Sequence, residues 1–450
     1  MPLFSSPVNP PIVGFCRLRY NATAIYALAR GPHTSDIHRH GGGPRHDGAQ
    51  LRKGTGMFEL TEEQQDLRLS MRRFSRREVR WKARRLDHAP PGTVDWELLR
   101  QSCDFGLISG QIPLDYGGTL DPMSTAIALE EIAHWDGGFA TLLSANGLAQ
   151  QALAHSGRQD LMAQIFDAVI RCEAQREPVL GALAVTERHV GSDLINPSVR
   201  DPARMMVTAK RRGEAYVLSG RKAYCAGGNI ANWLCVFATV DDHRHADGLT
   251  GFWVPTDVKG FHVSAILPTL GLRGCPLVEF YLEGVEVPPS HRLTEEGAGR
   301  SLLDKLSASG RSQGAAIAVG IARGAFELGR QHTLNRVQGG GPIIQHQMVQ
   351  HMLADMATQI EAARLLTHKA ATMSPPSTAI SSMAKVFASD TAVKVATDAV
   401  QLMGAFGTTL KSGAEKYYRD AKMTQIFQGT NELCRLAITY PTLQEAGLAP

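Results

Sequence analysis

Two runs near the middle of the chain, Trp233-Leu234-Cys235-Val236-Phe237-Ala238-Thr239 and Thr250-Gly251-Phe252-Trp253-Val254, decide how the fold is read. Each is short, dense in aromatic and β-branched residues, and bounded by Asn, Asp, Gly or Pro, which marks a strand. Residues 205–210, 215–219 and 278–282 have the same character, and from 180 to 292 no helical repeat separates these runs. Strands joined without crossover helices pair largely antiparallel, so a small barrel is expected and a dinucleotide-binding sheet is not.

On both sides of this zone the period lengthens to that of a helix. Over 57–179, Thr61-x-x-Gln64 has the spacing of a capping box, and Leu67, Leu69, Met71, Phe74 and Val79 return on one helical face. Residues 127–132 and 140–153 read as buried helices. Over 293–440 long helical faces recur at 315–328, 343–371 and 382–403, and 441–450 reads as a tail. The class is therefore α+β, in the order helix, strand, helix. The arginine-crowded stretch 72–85 reads as a solvated helix face, with docking of an acidic partner such as a carrier protein as the alternative.

Composition narrows the function classes. With 450 residues, 43% hydrophobic and 20% charged, the chain is of ordinary globular type. Charges and glycines interrupt every apolar stretch, so no membrane-spanning helix is expected. Seven scattered cysteines without a C-x-x-C pair argue against a disulfide framework or structural zinc, and fit the reducing cytoplasm. The net charge of +4 resides in residues 1–56, which hold seven basic and two acidic residues. The remainder is close to neutral, which gives no support to a nucleic-acid surface. Residues 1–56, with 14 Gly or Pro and a His38–His46 tract, read as a disordered leader or as sequence upstream of a true start at Met57. No metal site is expected.

Generic catalytic motifs are mostly missing. There is no P-loop, no H-E-x-x-H and no G-x-G-x-x-G after a strand. Gly310-Arg311-Ser312-Gln313-Gly314 matches the nucleophile-elbow string, but that motif needs a strand before it, and here the spacing before it is helical.

Other strings carry a resemblance. Ala184-Val185-Thr186-Glu187-Arg188-His189-Val190-Gly191-Ser192-Asp193 is similar to the flavin-binding signature of acyl-CoA dehydrogenases. Tyr418-Arg419-Asp420-Ala421-Lys422 and Ile426-Phe427-Gln428-Gly429-Thr430-Asn431-Glu432 resemble the family's C-terminal signature. Between them, Gly271-Leu272-Arg273-Gly274, Val285-Glu286-Val287-Pro288, Arg336 through Gln347, and Asp398 through Gly404 follow in the family's order. The resemblance implies an N-terminal helical domain, a central antiparallel β barrel and a C-terminal four-helix bundle.

It further implies FAD, an acyl thioester on CoA or acyl carrier protein, and electron-transfer flavoprotein or oxygen as acceptor. A homotetramer, or a hetero-oligomer, is implied as well. By the same resemblance Thr186, Gly191, Ser192, Tyr224, Cys225 and Ala226 line the flavin. Arg336, Gln338, His346, Gln347, Gln401, Gly404 and Ala405 bind its pyrophosphate end across a subunit interface, and Thr430, Asn431 and Glu432 close the site. Ser192, Arg311 and Gly429 fall at substrate positions.

The departures concern proton abstraction. The residue before the C-terminal Gly-Thr is commonly the catalytic glutamate, and here it is Gln428, whose amide takes up no proton at neutral pH. The alternative glutamate position, before an arginine on the first C-terminal helix, is Gly310. Ala226 and Tyr224 stand where the family commonly has a hydroxyl residue and a tryptophan, and Ala308 where it has a pantetheine-contacting aspartate. A backbone N–H at 428 would still polarise a thioester carbonyl, because that donor does not depend on the side chain. Three readings follow: a dehydrogenase of an acyl thioester with an unusual base, a silent or partner-assisted subunit, and a flavin oxidase or monooxygenase.

Overall fold

The computed structural model describes residues 59–196, 199, 205–240 and 248–448; the leader assigned to 1–56 lies outside them. Six helices come first: α1 (Glu62–Phe74), α2 (Arg80–His88), α3 (Trp96–Cys103), α4 (Pro122–Ala133), α5 (Gly137–Ala154) and α6 (Gln159–Ala174). Their starts are encoded locally. The Asp121 carboxylate accepts from Ser124 N (2.7 Å) ahead of Pro122, and Asp136 accepts from Gly138 N (2.8 Å), each satisfying an orphan N–H. Helices α4 and α5 are buried nearly all round, as their unbroken apolar character dictates. The arginine stretch lies along α1, a π turn and α2; Arg72 pairs with Glu131 (2.9 Å) and Arg77 with Glu78 (2.7 Å), while most of the rest face solvent.

One seven-stranded sheet follows: β1 (Gly181–Ala184), β2 (Thr208–Arg212), β3 (Ala215–Ala226), β4 (Trp233–Val240), β5 (Leu249–Pro255), β6 (Phe261–Leu267) and β7 (Leu277–Val287). The order is β1-β4-β2-β3-β7-β6, with β5 also on β4. The antiparallel expectation holds for four of the described pairings and needs correction for two, since β4 runs parallel to both β1 and β2. A parallel pair needs a connection of about a dozen residues or more, and β1 and β2 are both far enough from β4 in sequence to allow one. Strands β1 and β6 were not expected from the pattern. β1 has only four residues, and β6 alternates with an exposed face that blurs its apolar signal. Leu218, Val236, Phe252, Val254, Phe280 and Val285 form the sheet's core.

The last zone is helical: α7 (Gly299–Asn335), α8 (Gln347–Thr372), α9 (Thr378–Gly407), α10 (Ala414–Thr424) and α11 (Asn431–Glu445), with a two-residue pair, β8 (Val337–Gln338) and β9 (Gly341–Pro342), after α7. Helix α11 runs through Pro441 to Glu445, into the segment read as a tail. Helix α7 is the longest of these. It packs on α4, α5, α8, α9 and α10 because small residues line it; Gly320 lies against Ala133, and Gly324 against Tyr417. The G-x-S-x-G string is mid-helix in α7, with no strand before it, so it forms no elbow. No described helix is long and apolar enough to cross a membrane.

Candidate active site

The turn between α10 and α11 is the focus of the site. Gln428 has φ +54° and Gly429 φ +92°, two consecutive left-handed residues, of which only glycine adopts that state freely. The conformation is held from α9. Lys385 Nζ donates to Gly429 O (2.7 Å) and Asn431 Oδ1 (2.8 Å), and Asn431 Nδ2 donates to Asp390 Oδ1 (2.8 Å). Thr430 caps α11, accepting from Leu433 N (3.2 Å). Asn431 is thus turned into the protein as an anchor of the turn, while Glu432 is exposed. Burial, reinforced by the nearby Arg311 charge, brings the Lys385 ammonium down to about 8.

Gln428 enters between α5 and α7. Its Nε2 donates to Ser144 Oγ (3.0 Å), its buried Oε1 has no partner, and its backbone N–H donates to no acceptor among the described residues. A Cβ added to Gly310 would come within 3.9 Å of Gln428 Cδ, and one added to Gly314 would overlap Oε1. The two positions expected from sequence for the base therefore face each other, and neither holds a carboxylate. Arg311, next on α7, is 2% exposed; its Nη1 donates to Ser382 Oγ (2.9 Å), its Nε is unpartnered, and burial lowers its pKa. It borders Gly429, whose added Cβ would be 3.7 Å from the guanidinium. Ala308 is buried three residues earlier.

A second group gathers around the end of β3. Ala223 N donates to Thr186 O (3.0 Å), which joins the 186–192 loop to Tyr224, Cys225 and Ala226. Beneath them Lys222, fully buried, donates to Val185 O (2.8 Å) and Glu187 Oε1 (2.9 Å), and Glu187 accepts in turn from Met206 N (2.6 Å) and Val207 N (3.0 Å). Burial depresses Lys222 to about 8 against the pull of Glu187. Tyr224, at φ +55°, is 52% exposed, whereas the Cys225 side chain points into the sheet core, its thiol pushed up to about 12 by burial. Only the backbone of Cys225 is available to a ligand on the Tyr224 side. Ser192 is exposed, and Gly191 is open around its Cα, with nothing closer than Thr186 at 4.0 Å from an added Cβ.

The third group is solvent-facing. Arg336, Gln338, His346 and Gln347 surround the β8–β9 turn, where Ile343 N donates to Arg336 O (2.8 Å) and His346 Nε2 lies 3.0 Å from Gln338 O. The His332 and Phe406 rings stack at 6.1 Å, which sets this end of α7 beside Gly404 and Ala405. Gly404 breaks α9 at φ +57°, and Gln401 is exposed one turn earlier. Arg336 has no ion-pair partner among the described residues. An unpaired guanidinium, exposed amides and a glycine kink suit an anionic, pyrophosphate-bearing ligand.

The Tyr418–Lys422 string has a role that sequence did not reveal. Asp420 Oδ1 accepts from Leu272 N (2.6 Å) at Leu272 φ +55°, and Arg419 donates to Leu270 O (3.0 Å) and pairs with Asp87 (2.6 Å). It braces the 271–274 motif from the helical side. Ser144, Gln313, Gln111, Lys222 and Lys385 were also missed. Gln313, directly ahead of a run of small and apolar residues (314–319) in α7, and a lone Lys385 in an apolar stretch of α9, were the available signals.

The chain also resembles known proteins along most of its length. Residues 61–173, 182–285 and 297–440 match, in turn, the acyl-CoA dehydrogenase N-terminal, middle and C-terminal domains. The chain belongs to the acyl-CoA dehydrogenase family and is an oxidoreductase of that type. Cyclohex-1-ene-1-carbonyl-CoA dehydrogenase of Syntrophus aciditrophicus (strain SB) is 37% identical over 84% of this chain and 90% of its own. Among solved structures, butyryl-CoA dehydrogenase from Megasphaera elsdenii superposes with a TM-score of 0.78 at 30% identity, covering 86% of this chain and 99% of its own. A prolyl acyl carrier protein oxidase gives 0.75 at 26% identity, over 85% and 99%.

Proposed function

We propose that the protein is an FAD-dependent dehydrogenase of an acyl thioester, borne on CoA or on acyl carrier protein, that removes hydrogen from Cα and Cβ. The observation that carries this reading is the backbone N–H of Gln428, unpaired among the described residues and presented by a left-handed turn that Lys385 holds in place. A preorganised N–H aimed at a developing oxyanion stabilises charge without depending on its own side chain. In this reading Gln428 N–H binds the thioester carbonyl and acidifies Cα–H. Arg311 and Gly429 border the thioester, and Ser192 meets the substrate from the 186–192 loop.

Thr186, Tyr224, Ala226 and the open Gly191 backbone would hold the flavin ring; Arg336, Gln338, His346, Gln347, Gln401, Gly404 and Ala405 would hold the pyrophosphate end in a neighbouring subunit of a homotetramer. Thr430 and Glu432 close that site. Bound FAD supplies the hydride acceptor, at N5. Electron-transfer flavoprotein or oxygen is the acceptor. The free cysteines among the described residues suit a cytoplasmic enzyme.

Gln428 gives no side-chain base, so the Cα proton leaves to another group or to a base supplied by substrate or partner. Anaerobic addition of short acyl-CoA and acyl carrier protein thioesters to the purified protein tests the reading. Bleaching of the flavin absorbance supports it. A flavin that stays oxidised with every thioester, while an external reductant drives oxygen uptake, overturns it in favour of an oxygen-using enzyme.

A further inference from the structure

Gln428 is the first member of a series of hydrogen-bonded side chains running between α5 and α7. Gln428 Nε2 donates to Ser144 Oγ (3.0 Å), and the Ser144 hydroxyl donates to Gln313 Oε1 (2.7 Å). Gln313 Nε2 donates to Gln111 Oε1 (2.7 Å) and Ser309 Oγ (3.2 Å), and Gln151 Nε2 donates to the same Gln111 oxygen (2.8 Å). Ser144 and Gln313 are 0% and 3% exposed. No member is charged. Every buried oxygen in the series accepts from a neighbour except Gln428 Oε1, which is buried without a donor.

That oxygen lies where Gln428 meets the glycine face of α7, with Leu148 of α5 close by. An added Cβ at Gly310 would be 3.6 Å from Leu148 and 3.9 Å from Gln428 Cδ. The site thus combines a side-chain-free helix face, one apolar wall and a single unsatisfied acceptor, backed by amides that are already paired. A buried acceptor is costly to leave unpaired, and a site containing one favours the ligand that supplies the donor.

We propose that the acyl subsite takes a short acyl group bearing a hydroxyl or N–H that donates to Gln428 Oε1, and that it rejects long alkyl chains. The inference rests on the thioester reading above and adds the chemistry of the acyl group to it. An alkyl group of the same length leaves Oε1 unpaired. A longer chain passing between α5 and α7 has to part the Ser144–Gln313–Gln111 bonds and strand several amides at once.

The test is calorimetric titration of the FAD-loaded full chain with pantetheine thioesters, the arm common to CoA and carrier protein. The probes are the butyryl, 2-hydroxybutyryl, 3-hydroxybutyryl and octanoyl esters. At least one hydroxybutyryl ester is expected to bind about ten- to hundredfold more tightly than butyryl, with octanoyl weakest. In Gln428→Met that preference should shrink to about twofold or less, and Ser144→Ala, which releases the carboxamide, should also reduce it.

Equal or tighter binding of butyryl or octanoyl by the unsubstituted protein overturns the inference and leaves the thioester reading standing. Unchanged hydroxyl preference in Gln428→Met also overturns it. Absence of binding by all four esters removes the thioester reading itself, and the inference with it.

Discussion

The carboxamide of Gln428 and the backbone of Gly310 face each other across the gap between the α10–α11 turn and α7, at 3.9 Å from Gln428 Cδ to an added Gly310 Cβ. A carboxylate installed from either side would therefore arrive in the same place. Gln428→Glu, or Gly310→Glu alone, is expected to raise the rate of α,β-dehydrogenation of a bound thioester by about 10²–10⁴-fold, the usual contribution of a positioned base. The double variant should gain less than either single one, because two adjacent carboxylates do not both ionise. Single-turnover flavin reduction under anaerobic conditions measures both effects.

Lys222 and Glu187 form a buried pair under the 186–192 loop, with Nζ 2.9 Å from Oε1. Lys222→Met should cost about 3–5 kcal/mol, because it leaves the Glu187 charge buried and unpaired. The double change Lys222→Met with Glu187→Gln should recover a large part of the loss. Denaturant unfolding of the four proteins gives the coupling, and retention of FAD through dialysis reports whether the loop stays in place.

Lys385 titrates at about 8 in the folded chain, against a normal value of 10.5. Between these pH values the unfolded chain binds the proton and the folded chain does not, so this group makes stability rise with pH across that window. Its contribution is fully present above 10.5 and is lost as pH falls through 8. The difference in unfolding free energy between the wild type and Lys385→Met should therefore shift in favour of the wild type from pH 8 to 10, by about 1.4 kcal/mol per pH unit at most. A difference that stays flat across this range rules out a depressed Lys385.

Gly324 lies where α7 crosses α4 and α10, and an added Cβ would be 2.8 Å from Tyr417 Cζ and closer still to the His134 carbonyl. Gly324→Ala raises helix propensity yet should destabilise the protein by about 1–3 kcal/mol, because the crossing has no room to relax. Thermal unfolding would show a lower Tm. An unchanged or higher Tm would mean that the helices can separate at this point.

Much of the fold was legible because its signals are local. The apolar bodies of α4 and α5 and the aromatic runs of β4 and β5 each act within a few residues. Strand β6 escaped because half its residues face outward, and the parallel placement of β4 escaped because pairing direction depends on partners far apart in the chain. Of the site, the strings around Thr186 and Gln428 were readable as motifs. Lys385, Ser144 and Gln313 were not, since each acts through a partner on another element.

By itself, then, the sequence determined the order of helix, strand and helix, the family, and the absence of a carboxylate at two positions, because side-chain identity and periodicity are written along the chain. Tertiary structure alone decided that those two positions meet, that the Gln428 N–H has no acceptor among the described residues, and that its Oε1 is the one buried oxygen in a polar series left without a donor among them. Those facts depend on which surfaces the packing of α5, α7 and α9 brings within hydrogen-bond reach, and a distance of 3 Å between residues 144 and 428 has no counterpart in a linear string.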